Sequence, residues 1–69
     1  MTRFAIKLTK GDDYKIIETF CTKDAAMAAG AEYRKKYSRD DGLLSCIEAD
    51  FDENGNMLGT VYKIHEVFL

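Results

Sequence analysis

Residues 43–69 read LLSCIEADFDENGNMLGTVYKIHEVFL, two alternating runs around a short polar centre. The centre, DFDENGN at 50–56, admits two readings: a calcium-binding loop, or a tight turn between strands. A calcium loop of the helix–loop–helix kind needs oxygen ligands at positions 1, 3 and 5, glycine at 6 and a bidentate glutamate at 12. Counted from Asp50, the residues Asp52, Asn54 and Gly55 fall in place, but position twelve is Val61, which has no side-chain oxygen. The flanks alternate with period two, as strands do. The turn reading stands, and calcium is not expected as a partner. Asn54-Gly55 between alternating runs is a strong hairpin signal, because both residues accept the positive φ of a type I′ turn. Pairing Glu53 with Asn56 sets Phe51 opposite Leu58, Ala49 opposite Thr60, Ile47 opposite Tyr62 and Ser45 opposite Ile64, all on one mostly apolar face.

The first half of the chain holds a second hairpin and a helix. RFAIKLT at 3–9 places Phe4, Ile6 and Leu8 on one side and Arg3, Lys7 and Thr9 on the other. That is the pattern of a half-buried strand. KGDD turns the chain, and YKIIETFC returns antiparallel. A three-residue loop at 10–12 sets Leu8 opposite Tyr14 and Ile6 opposite Ile16, whereas a two-residue Gly11-Asp12 turn sets Ile17 opposite Ile6. The first is preferred because it gathers the apolar residues on one face. Thr22 then offers a hydroxyl to the free amides of a helix start, with Asp24 at the positive end of its dipole. Ala26, Ala29, Gly30, Tyr33 and Tyr37 line one helical face. Gly30 costs about 1 kcal/mol in helix propensity relative to alanine, which implies close approach to the sheet. SRDDG ends the helix.

The expected fold is therefore α+β and two-layered, in the order β-β-α-β-β. A mostly antiparallel four-stranded sheet carries one helix on one face, and residues 1–69 form a single domain. Strand order is left open between strands 2 and 3 lying parallel across the helix crossover and strands 1 and 4 meeting in the centre. Hydrophobic residues make up 46% and charged residues 32%, which suits a folded globular chain and excludes a disordered one. Arg3, Lys7 and Lys10 interrupt any apolar leader, and no apolar run approaches the roughly 20 residues that span a bilayer. Two cysteines, Cys21 and Cys46, make no disulfide framework. The expected location is the cytoplasm, with no membrane contact. A net charge of −2 hides +4 in residues 1–39 and −6 in residues 40–69. Two halves lying side by side can neutralise that split.

Three functional readings compete. The second hairpin's register brings Cys46, Glu48 and His65 together, groups that nucleophilic catalysis or zinc would use. No metal spacing or oxyanion hole accompanies them, so neither enzyme activity nor a cofactor is expected. YRKKYSR at 33–39 offers Arg34, Lys35, Lys36 and Arg39 to nucleic-acid phosphates. Its tyrosines fall on the core-facing stripe, however, and a pI near 5.2 does not suit such a partner. The third reading rests on the sheet face opposite the helix, expected to carry Ile17, Leu44, Cys46, Val61, Lys63, His65 and Val67. An apolar-leaning outer face on so short a chain points to a non-enzymatic binding or regulatory module. It would work by protein–protein contact, as a homodimer or with another protein. This third reading is preferred.

Overall fold

A computed structural model describes residues 1–69. The elements are β1 (Thr2–Lys10), β2 (Asp13–Phe20), α1 (Lys23–Lys36), β3 (Leu43–Phe51) and β4 (Met57–Phe68), with a 3-10 turn at Arg39–Asp41 after the helix. All strands pair antiparallel in one sheet of order β2-β1-β3-β4. The α+β fold read from the sequence is the one observed. Of the two arrangements left open, strands 1 and 4 do not meet in the centre: β1 and β3 form the central pair, and β2 and β3 run parallel across the helix crossover with β1 between them. Helix width accounts for this. A helix is about 10 Å across and strands lie about 4.8 Å apart, so a crossover helix on a sheet has room for one strand beneath it.

The first hairpin pairs Lys10 with Asp13 around a two-residue turn, so the preferred three-residue loop is corrected. Gly11 has φ 62°, and the first central position of a type II′ turn needs such a value. The register then shifts: Lys7 faces Ile16 but Ile6 faces Glu18, which leaves Ile17 as the extra residue of a bulge. The bulge carries Glu18 to the helix side, where the Tyr33 hydroxyl donates to its Oε1 at 2.6 Å. That bond to a carboxylate holds the phenol proton in place and raises the Tyr33 pKa.

The second hairpin is also corrected in detail. Phe51 pairs with Met57, and the Gly55 amide donates to the Asp52 carbonyl at 3.1 Å. Gly55 has φ 84°, while no residue other than glycine has a positive φ, so Asn54 does not take part in a type I′ turn. Asp52 explains the longer loop. Its Oδ1 accepts the amides of Asn54 and Asn56, each at 2.9 Å. These bonds stabilise the carboxylate and lower its pKa. Further along, Glu48 pairs with Lys63, Ile47 with Ile64 and Ser45 with Val67, because β4 carries extra residues around Gly59 and at His65.

The helix begins as expected, with the Thr22 hydroxyl accepting the Ala25 amide at 3.2 Å. Ala26 and Gly30 are its buried residues, and Tyr33 and Tyr37 pack against the core below them. A Cβ on Gly30 would overlap the ring of Phe68 from β4. Close approach is thus the reason for the glycine. Ile6, Ala26, Leu44 and Cys46 form the buried centre of this layer. A second buried group, Ala5, Ile47, Ala49 and Phe51, lies on the other side of the sheet. No helix of the chain is long and apolar enough to cross a membrane.

Candidate binding surface

Pairing β1 directly with β3 decides which residues face the helix. Side chains at paired positions share a face. Because Phe4, Ile6 and Leu8 turn toward α1, their partners Glu48, Cys46 and Leu44 turn that way too. Leu44 and Cys46 are therefore buried under the helix, and Ile17 packs there through its bulge. The expectation that Ile17, Leu44 and Cys46 lie on the helix-free face is corrected. Val61 does pack on that face, against the second buried group, and Val67 is paired with Ser45 there. Lys63 and His65, expected on that face as well, are likewise corrected, since Lys63 pairs with Glu48 on the helix side.

His65 also turns to the helix side of the sheet. Its Nε2 lies 2.9 Å from Glu48 Oε1, and its ring stands 5.5 Å from that of Phe4. The structure brings Glu48 and His65 together, but no hydrogen bond joins either to Cys46. Burial pushes the Cys46 thiol up from its usual range, which is the wrong direction for a nucleophile. The basic helix end is occupied locally. Arg34 Nη1 donates to the Tyr37 carbonyl at 2.7 Å, Lys35 pairs with Glu32 at 2.9 Å, and Lys36 lies 5.8 Å from the centre of the Tyr33 ring. Arg39 sits in the 3-10 turn. In the hairpin region, Asp50 accepts the Thr2 hydroxyl at 2.7 Å and the Tyr62 hydroxyl. These bonds, Tyr62 foremost, lower the Asp50 pKa.

The helix-free face is built differently. Ala5, Ile47, Ala49 and Phe51 are at most 1% exposed, although no residue of α1 packs on them. Ile16 from one edge strand and Met57 and Val61 from the other close over them. The bulges on both edge strands accentuate the twist that brings these side chains inward. Large apolar side chains also stand exposed on this face. Tyr14 is 50% exposed, Leu43 47% and Ile64 58%. Leu43 and Tyr14 flank Thr9 in one row, and Ile64 pairs with Ile47 in another.

Charge on the strands of this face is one-sided, while Asp52 and Glu53 of the β3–β4 loop line one pocket with Arg3 at its rim. Arg3, paired with Ala49, and Lys7, paired with Ser45, both point to it from the central strand β1. Every strand carboxylate points the other way: Asp13, Glu18, Glu48, Asp50 and Glu66 pair with Lys10, Ile6, Phe4, Thr2 and Cys46, all on the helix side. The other acids lie in α1 or in the connections between strands. The basic and acidic halves of the chain do meet at β1–β3, yet both ion pairs, Lys35–Glu32 and His65–Glu48, stay within one half. Arg3 and Lys7 have no carboxylate within 4.0 Å. Instead Lys7 Nζ lies 4.9 Å from the centre of the Tyr14 ring, and Arg3 Nη1 donates to Cys21 Sγ at 3.4 Å.

Tyr14, Leu43 and Ile64 were not singled out from the sequence, and neither were the two cations. The alternation of β1 already sets Arg3 and Lys7 opposite Phe4 and Ile6. What was missing was the pairing of β1 with β3, which assigns faces to the second hairpin. No protein-family model matches this chain, and no curated protein or solved structure matches it significantly.

Proposed function

We propose that this chain is a non-enzymatic binding module that works by protein–protein contact through the helix-free face of its sheet. One observation carries the reading: three large apolar side chains, each about half exposed, share the sheet face of a fully buried layer that has no second element over it. An exposed apolar sheet face is costly in water, and a partner that covers it removes that cost. Tyr14 suits such a surface, being a rigid amphipathic anchor with few torsions to order.

A second copy of the chain is one partner of this class. It would add burial that a short chain lacks. The protein measures 30 × 27 × 20 Å, so a broad face can supply the ~800 Å² per partner that a standard interface buries.

Selection from a displayed library of random peptides tests the reading, with wild-type protein as bait and Ile64→Gln as the counter-bait. Ile64 is 58% exposed, so the substitution leaves the fold in place. Peptides that bind wild type and lose tenfold or more on Ile64→Gln support the helix-free face. Binders that ignore Ile64→Gln contradict it, and so does a selection that yields none.

A further inference from the structure

We infer that the partner of the helix-free face is an acidic amphipathic segment of another protein. The inference rests on the protein-binding reading above and names the chemistry that reading leaves open. A contact surface announces its partner by what it offers and by what it lacks. This face offers three exposed apolar side chains, Tyr14 and Leu43 in one row and Ile64 in another, with Arg3 and Lys7 on its central strand. It lacks any strand carboxylate, since all five pair toward the helix side. The chain as a whole is acidic, with net charge −2, so a cationic face is a local arrangement rather than a reflection of composition.

Complementarity then separates the candidate partners. In a two-fold contact between copies, the same patch meets itself. Arg3 and Lys7 would meet strands that carry cations and no carboxylate on this face, with Asp52 and Glu53 of the β3–β4 loop beside Arg3 alone, so covering the face would desolvate Lys7 with no acid of the strands to pair it. A segment with an aliphatic stripe and flanking aspartates or glutamates resolves both needs. Its stripe covers the exposed apolar side chains, and its carboxylates reach two cations that have no carboxylate within 4.0 Å. Lys7 is held against Tyr14 rather than ranging freely in solvent, which lowers the entropy lost on pairing.

The experiment reads the peptides that discriminate wild type from Ile64→Gln. They are expected to be enriched in Asp and Glu over the starting library. Lys7→Gln should weaken them three- to tenfold, as should raising the salt from 50 to 500 mM, and Arg3→Gln should act in the same direction. Circular dichroism melts confirm that the variants fold. Discriminating peptides that are neutral or basic, or that ignore Lys7→Gln, overturn this inference while leaving the protein-binding reading intact. No discriminating peptides at all would overturn that reading itself. A wild-type dimer at low micromolar concentration that Ile64→Gln dissociates assigns the face to a second copy and overturns the acidic segment. Binding of a single-stranded oligonucleotide that is lost in both Lys7→Gln and Ile64→Gln assigns it to nucleic acid, with the same consequence.

Discussion

Each face of the sheet belongs to a cluster of four buried residues, one of them Ala26 of the helix, yet the two solve the same problem differently. On one, Ile6, Leu44 and Cys46 are covered by α1, and the larger side chains Phe4, Leu8, Phe20 and Phe68 fill the space between the layers. On the other, the buried residues include the small side chains Ala5 and Ala49, and the cover comes from the edge strands alone. Small residues beneath and a twisted sheet above make a self-covering layer possible. The difference shows that the helix-free layer is part of the core, and the proposed contact uses only the surface above it. On the proposed function, stability and binding separate on that face by depth.

The largest expected effects test whether the two layers are equivalent in stability. Ile6→Ala and Ile47→Ala each remove a fully buried side chain, one from each layer. Each should cost about 2–5 kcal/mol by urea denaturation. A cost at Ile47 well under that range would mean its layer is surface rather than core. Next comes the helix contact: Gly30→Ala brings a methyl group into the Phe68 ring. Overpacking of about 1–3 kcal/mol is set against a gain of about 1 kcal/mol in helix propensity, and the expected result is net destabilisation. A stabilised Gly30→Ala variant would show that Phe68 moves aside freely. Thr22→Ala should cost about 1 kcal/mol through loss of the cap.

A chemical comparison sharpens the contrast between inside and outside. Cys21 is exposed, whereas Cys46 is fully buried under the helix with its thiol pKa raised by burial. An alkylating reagent near neutral pH should modify one thiol quickly, with mass mapping placing it at Cys21, and the second only as the protein unfolds. Rapid modification of native Cys46 would mean that α1 opens readily.

The smallest effect concerns the second hairpin. The Asp50 and Asp52 carboxyls are held below their usual values by hydrogen bonds made only in the fold. A depressed folded-state pKa contributes stability above the unfolded value and loses it as pH falls through the folded one. Stability from these groups should thus be constant above about pH 5 and decline below about pH 4. Asp52→Asn should flatten part of that decline in a series of melts from pH 6 to pH 2. An unchanged acid slope would remove the loop bonds from the account.

The elements were legible because each carries its own local signal. Alternation marked the strands, Thr22 marked the helix start, and Gly30 marked a close contact whose partner, Phe68, only the fold could name. The faces were not legible, and the reasons are particular. Bulges at Ile17, around Gly59 and at His65 shift the register by whole residues, and in a strand a shift of one residue exchanges the faces. Asp52 lengthened a loop that Asn54-Gly55 alone would have made tighter. Above all, the neighbour of β3 is set by the width of a helix rather than by any motif. Leu44 and Cys46 were therefore placed outside when they belong under the helix, and Tyr14, Leu43 and Ile64 went unnoticed.

The central claim is that the helix-free face is where this protein meets another. Its most direct test is a two-dimensional amide NMR titration of the wild-type protein with a peptide from the selection. The account predicts shifts clustered at Tyr14, Leu43, Ile47 and Ile64, with the amides of Lys23–Lys36 unmoved. Shifts confined to the helix, or to the basic residues at its end, would contradict it.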